Sequence, residues 1–365
     1  MNPFIAEALR LAEKSLLLSS PNPHVGCLIT SAEGQTLGRG FTRRAGQAHA
    51  EIDALRDAQT KGHDLQGATA YVTLEPCSHQ GRTGACCDAL IAAGIDKVVA
   101  SITDPNPLVS GQGLARLRSA GVVVEVGPGA QLSRELNIGF FSRMIRQTPW
   151  VRLKIAASLD GKTALNNGAS QWITSEAARA DGHSWRARSC AVLSGIGTVL
   201  ADDPRLDVRL VATERQPQLV LIDNRLETPP NARLFDVERA LCIYTASQDE
   251  VKKMALQARG AEVICLPGAN EKVDLRAMLH DLAKREINEL HVEAGPGLNG
   301  ALLSQRLVDE VLLYLAPKVL GAGLDMASFG PLSALSEAVG LTFQSIDRLG
   351  PDLRIVARIA GRDQF

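Results

Sequence analysis

The chain has 365 residues and a formal net charge of −1, with 39 Lys and Arg against 40 Asp and Glu. That length favours two domains over one, and the balanced charge lacks the basic field that nucleic-acid binders carry. Hydrophobic residues are 45% of the chain and aromatics 4%, so aliphatic cores are expected, and no apolar run is long enough to span a bilayer.

The seven cysteines form no disulfide framework. Cys27, Cys190, Cys242 and Cys265 sit in apolar, strand-like runs and read as core residues, which fits a reducing compartment. The opening residues have no basic start, and Glu7 interrupts them, so no signal peptide is expected and the location is cytoplasmic.

Asn2 before Pro3 reads as a helix cap followed by proline at the first helical position. Phe4, Ile5, Ala8, Leu11 and Ala12 continue at helical spacing as far as Ser19-Ser20. Pro21-Asn22-Pro23-His24 is a rigid loop. Strands 25–30 and 36–41 flank Glu33-Gly34 as a hairpin. A helix over 48–59 carries His49 and Glu51 in its first turn. A strand over 70–74 ends at Glu75-Pro76, a helix follows over 86–93, then a strand over 97–102. A helix over 114–119 and a strand over 122–126 complete this half. Alternating strands and helices predict an α/β sandwich with a largely parallel sheet.

His49, Cys77 and one of the adjacent Cys86 and Cys87 suit a tetrahedral zinc with its fourth position open to water. Glu51 lies two residues after His49, and positions so spaced do not share a helix face. It is therefore read as the proton carrier and not as a fourth ligand. His-x-Glu followed by Pro-Cys and a further Cys is the signature of zinc-dependent deaminases of nucleobases and related rings. Both ligand groups fall at helix starts, whose partial positive charge favours thiolates. The polar, glycine-rich segment 78–85, with His79, is placed to touch substrate, and spacing alone does not choose between Cys86 and Cys87.

The charged stretch 143–150, with Pro149, breaks the pattern and sets the boundary, giving domains 1–146 and 147–365. Strands are expected at 151–156, 190–193, 219–223, 241–244, 262–266 and 289–293. Helices are expected at 175–188, 250–259, 275–285 and 299–305. Strands at 311–315, 341–346 and 353–359 lack intervening helices, so an antiparallel edge is expected. Gly295-Pro296-Gly297-Leu298-Asn299-Gly300 is a G-x-G-x-x-G run after a strand, a pattern that lets backbone approach a diphosphate. Its late position argues against a Rossmann domain. A second glycine turn, Ser194-Gly195-Ile196-Gly197-Thr198, also ends a strand.

Pro21-Asn-Pro-His-Val-Gly26, His49-Ala-Glu51, Thr73-Leu-Glu-Pro-Cys-Ser-His79, Gly81-Arg-Thr83 and Asp104-Pro-Asn-Pro107 together resemble the RibD family, the bifunctional deaminase–reductases of riboflavin biosynthesis. Lys154-Ile-Ala-Ala-Ser-Leu-Asp-Gly-Lys-Thr163, Ser170-Gln-Trp-Ile-Thr174, Thr198-Val-Leu-Ala-Asp-Asp-Pro204 and Val292-Glu-Ala-Gly-Pro296 extend the resemblance to nearly the whole chain. Gln80 and Gly84-Ala85 depart from the family pattern within the loop and not among the ligands.

The resemblance implies a cytidine-deaminase-like α/β/α sandwich followed by a dihydrofolate-reductase-like α/β domain. The thiolate spacing of the family is the long one, which selects Cys86. One zinc per chain is then held by His49, Cys77 and Cys86, with Glu51 catalytic. NADPH is lined by Ala156, Trp172, Thr198, Asp202, Asn224, Gly295, Pro296, Gly297, Leu298, Asn299, Gly300 and Ala301. Substrate is held by Ser170, Arg186, Leu206, Arg209 and Glu293, with the two arginines suited to its phosphate.

Asp202 and Lys154 both qualify as the acid of the reduction. The implied substrate is a phosphoribosylaminopyrimidine, with no nucleic-acid or membrane partner and with room for a homo-oligomer. Two competing readings are a zinc-stabilised nucleotide-binding regulatory protein without turnover and a tRNA- or DNA-editing deaminase. The first requires a fourth protein ligand on the metal, and the second a basic face.

Overall fold

A computed structural model describes residues 2–78 and 84–365. The chain divides into two compact units, Met1–Gln147 and Thr148–Phe365. No helix among the described residues is long and apolar enough to cross a membrane.

The first unit contains α1 (Pro3–Glu13), β1 (Gly26–Thr30), β2 (Thr36–Phe41), α2 (Ala50–Thr60), β3 (Ala68–Val72) and α3 (Cys86–Ala92). It continues with β4 (Ile95–Ala100), α4 (Gln112–Ser119), β5 (Val123–Val126), α5 (Ala130–Leu136) and α6 (Ile138–Arg146). Asn2 caps α1 through its side chain, which accepts from Phe4 N–H at 2.9 Å, with Pro3 at the first helical position as expected.

The strand order is β2-β1-β3-β4-β5. Only β3, β4 and β5 run parallel. β1 is antiparallel to both of its neighbours, so the sheet is mixed and not largely parallel. The short Glu33-Gly34 turn sets the β1–β2 pairing, because neighbouring strands joined by so few residues must run antiparallel, whereas the β1–β3 pairing joins residues about forty positions apart. Gly38 and Gly40 let α2 lie against β2. A Cβ on Gly40 would come within 2.2 Å of Ala50 O, and one on Gly38 within 2.3 Å of Ala54 O. This contact fixes the start of α2, where His49 stands.

The second unit contains β6 (Trp150–Ser158), β7 (Lys162–Leu165), α7 (Glu176–Arg188), β8 (Ala191–Gly195), α8 (Ile196–Asp202), β9 (Gln218–Ile222), β10 (Leu241–Thr245) and α9 (Glu250–Gln257). It ends with β11 (Glu262–Cys265), α10 (Leu275–Lys284), β12 (Glu289–Val292), α11 (Pro296–Ser304), β13 (Glu310–Ala316), β14 (Gly323–Asp325), β15 (Leu341–Leu349) and β16 (Asp352–Ile359). Nine strands form one sheet in the order β11-β10-β9-β8-β12-β6-β13-β16-β15. The pairings from β11 to β13 are parallel, and β16 and β15 add the expected antiparallel edge.

One face of the central strands is aliphatic, with Val151, Leu153, Leu193, Leu290 and Val292 in the main core cluster. Alternation along the strands turns Arg152, Glu289, His291 and Glu310 toward the other face. There the buried Arg152 guanidinium bridges Glu289 at 2.6 Å and Glu310 at 2.5 Å. Both carboxylates are thereby paired, as buried charges must be.

All the cysteines are free. Cys27, Cys190 and Cys242 are buried, but Cys265 is exposed. It ends the edge strand β11, where one side has no neighbouring strand, so it is not the core residue expected.

Candidate active sites

His49 is the residue that precedes α2, with extended backbone, and Cys86 is the first residue of α3. Cys77 lies in the loop after β3, and its Sγ accepts from Cys86 N–H at 3.3 Å. Cys77 Sγ is 3.7 Å and Cys86 Sγ 3.4 Å from His49 Nδ1, and the three ligand atoms lie within 4.8 Å of one another. Tetrahedral zinc, with bonds near 2.3 Å to sulfur and 2.0 Å to nitrogen, places its S and N ligands about 3.6 Å apart. The residues therefore fit zinc without rearrangement.

Cys87 is buried next to Cys86, but its N–H donates to Cys77 O and it is not part of the ligand cluster. Helix geometry thus chooses between the two thiols where spacing did not. The Cys77 thiol is held down to about 4 by the Cys86 thiol, the His49 ring and the Cys86 N–H. Cys86 is pushed up by its hydrogen bond to Cys77 and by burial.

Glu51 is buried beside these ligands and shares a hydrogen bond with Cys86. Burial, and then the negative charge of Cys77, raise its carboxyl to about 7. His79 and Gln80 lie outside the described residues.

Glu75 was not singled out by sequence, yet it organises this loop. Its carboxylate accepts from four backbone N–H groups, those of Asp104 (3.0 Å), Gly111 (2.9 Å), Gly113 (2.9 Å) and Leu114 (3.4 Å). An anion at the start of α4 is favoured by the helix dipole. The loop carrying Pro76 and Cys77 is thereby tied to the Asp104-Pro105-Asn106-Pro107 turn.

The second unit holds a cavity of about 1530 Å³, large enough for a dinucleotide together with a substrate. Every residue assigned above to cofactor or substrate lines it except Gly300. A Cβ on Gly300 would meet Ser328 O at 1.9 Å, so this third glycine serves close packing of α11. The expected helix after the glycine run begins at Pro296, and the turn at Ser194–Thr198 opens α8. Asn224, which lines the cavity, spends its side-chain oxygen on Val273 N–H at 2.9 Å. Asn299 donates to Met326 O at 2.8 Å, while its buried Oδ1 has no protein partner.

At the other end, Arg186 holds Glu293 with two hydrogen bonds and donates a third to Asp207 O. Three of its five N–H donors are therefore spent within the protein. Lys154 Nζ stands 3.8 Å from Glu293. Burial alone would raise the Glu293 carboxyl, but Arg186 and Lys154 hold it well below the usual range. Arg209 is half exposed and pairs with Asp207 at 2.7 Å.

The fold and the two sites define a zinc-dependent deaminase joined to a nucleotide-dependent reductase. Residues 2–102 match the cytidine and deoxycytidylate deaminase zinc-binding region, and residues 149–355 match the RibD C-terminal domain. Riboflavin biosynthesis protein RibD of Escherichia coli K12 is 42% identical over 363 residues, covering 96% of this chain and 97% of that one. Its Aquifex aeolicus counterpart is 40% identical over 348 residues, 95% of each. RibD of Acinetobacter baumannii superposes with a TM-score of 0.88 at 38% identity over 98% of both chains. The Thermotoga maritima diaminohydroxyphosphoribosylaminopyrimidine deaminase/5-amino-6-(5-phosphoribosylamino)uracil reductase gives 0.88 at 33% identity, again over 98% of both.

The chain belongs to the RibD family and is a bifunctional deaminase and reductase of riboflavin biosynthesis. The full-length match decides for this enzyme over the regulatory and editing readings. Zinc is the metal of its deaminase and NADPH the cofactor of its reductase.

Proposed function

We propose that the two units divide the labour. The first, residues 1–146 by sequence, deaminates 2,5-diamino-6-(5-phosphoribosylamino)pyrimidin-4(3H)-one. The second, residues 147–365, reduces the ribosyl group of the product to give 5-amino-6-(5-phosphoribitylamino)uracil. The observation that carries the first assignment is the trio His49, Cys77 and Cys86 at zinc-ligand separations with the buried Glu51 carboxylate beside it.

Zinc, when bound, supplies an activated water at neutral pH, and NADPH supplies a hydride. Glu51 accepts a proton and delivers it to the departing ammonia. Its burial keeps bulk water from competing for that proton.

In the second unit Glu293 and Arg186 orient the sugar, while Arg209 faces its phosphate with uncommitted guanidinium donors. Lys154 and Asp202 both line the cavity. Lys154 is the better acid of the two, because its ammonium already sits against Glu293 where the sugar is held.

The protein works on a small molecule in the cytoplasm, which its free thiols support. Self-association is supported by Leu341, Phe343 and Ile346, exposed on the terminal strand β15. Sedimentation measures that state.

The decisive experiment mixes protein, the diamino substrate and NADPH, and follows ammonia and nicotinamide absorbance separately. Glu51→Ala is expected to abolish ammonia release while supplied deaminated intermediate is still reduced. Loss of both activities in a folded variant, or of neither, overturns the division of labour.

A further inference from the structure

The segment from Arg205 to Arg209 is gripped at every residue. Arg239 donates to the carbonyls of Arg205 and Leu206, the latter at 2.6 Å. Arg186 donates to Asp207 O. Gln216 brackets Val208, accepting from its N–H at 2.7 Å and donating to its carbonyl at 3.0 Å. The last grip is His183, whose Nδ1 accepts from Arg209 N–H at 3.2 Å.

His183 stands one turn before Arg186 on α7, so the two share a helix face. Both are buried. His183 does not line the cavity, and nothing in the proposed chemistry uses it.

A backbone N–H can only donate, so this bond requires a lone pair on Nδ1 and puts the ring proton on Nε2. The surroundings enforce that state. Arg186 and Arg209 face the ring, with Glu293 and Asp207 as the nearby carboxylates. Burial first, and then the two guanidinia, push the imidazole down to about 4, so it is a neutral acceptor at physiological pH. Arg209 is thus fixed twice, its backbone by His183 and its side chain by Asp207, at the wall of the cavity.

We infer that His183 is a positioning residue for recognition of the substrate's phosphate, acting through the Arg209 backbone as an obligate neutral acceptor. The inference rests on the reading above that Arg209 meets the phosphate.

The test uses the full-length, zinc-loaded protein. His183→Leu keeps the volume and removes the acceptor, whereas His183→Asn places a side-chain oxygen near the Nδ1 position. His183→Leu is expected to raise KM for the phosphorylated reductase substrate by up to about tenfold with kcat nearly unchanged, the upper size of one lost hydrogen bond between neutral partners. It is also expected to weaken inhibition by inorganic phosphate by a similar factor, and to leave KM for the dephosphorylated substrate unmoved. His183→Asn is expected to stay close to the parent on all three.

An equal rise in KM for both substrates marks a merely structural role and overturns the inference, as does failure of His183→Asn to rescue. Arg209→Ala separates the two readings. If it leaves KM for the phosphorylated substrate unchanged, the phosphate assignment falls and the role of His183 with it. If Arg209→Ala raises that KM and His183→Leu does not, only the role of His183 falls.

Discussion

Arg186 grips Glu293 at both carboxylate oxygens, Nε to Oε1 at 2.7 Å and Nη2 to Oε2 at 2.9 Å. Such a bidentate pair between two planar groups is rigid. It lets a carboxylate stay ionised where water is scarce, with Lys154 close enough to share its charge.

Removing Arg186 leaves Glu293 with only the Lys154 ammonium at 3.8 Å and the His291 ring at 3.4 Å. Arg186→Met is expected to lower the unfolding free energy by about 3 kcal/mol, the cost of breaking one partner out of a buried ion pair. Reduction should be lost while ammonia release continues at the parental rate. Urea denaturation and the two separate assays measure these effects. Parental stability in this variant would mean that the pair contributes nothing.

The choice between the adjacent thiols is directly testable. Cys86→Ser is expected to weaken zinc binding by more than the roughly hundredfold effect of losing a neighbouring hydrogen bond. Cys87→Ser should retain one zinc per chain, since its side chain lies outside the ligand trio. Metal analysis after dialysis against a weak chelator distinguishes them, and the reductase assay should not change in either variant.

The chemistry was largely legible in the sequence because it lies in short motifs whose spacing is chemical. His49, Glu51 and Cys77 could be named from residue type alone. Cys86 needed either the family spacing or the start of α3, because adjacent residues differ only in the direction a helix turns them. Long-range pairing was harder to read. The antiparallel placement of β1 against β3 depends on a partner forty residues away, and α5 and α6 are short helices separated by Asn137. That asparagine is buried by bonds to His24, accepting from its N–H at 2.6 Å and donating to its carbonyl at 2.9 Å, a contact no local pattern announces. His183 carries no sequence signal for the same reason: its bond to Arg209 N–H joins residues that meet only in the fold.

Glu75 offers a test of that kind of hidden organisation. Four amide donors converge on one carboxylate, and removing it orphans all of them. Glu75→Ala is expected to cost about 3 kcal/mol, since each neutral donor contributes about 1 kcal/mol and water recovers part of the loss. Glu75→Gln should cost roughly half as much, because one oxygen still accepts. Chemical denaturation followed by a probe in the first unit measures both, and reductase kinetics should be unaffected.

Asp160 governs a pH effect whose sign follows from its partners. Ser158 Oγ donates to its Oδ1 at 2.6 Å, Leu320 N–H to Oδ1 at 3.0 Å and Gly321 N–H to Oδ2 at 2.7 Å. These donors favour the ionised form and hold the carboxyl at about 2, against about 3.9 in an unfolded chain. The folded state therefore binds its proton less readily than the unfolded one. The contribution of Asp160 is complete above the unfolded value and is lost as pH falls from about 4 through about 2. Asp160→Asn should remove this one contribution, so that the stability difference from the parent shrinks as pH falls through the same window. Carbon-13 titration of the Asp160 carboxyl should give a midpoint near 2, and a midpoint close to 4 in the folded protein would show that the three donors do not favour the anion.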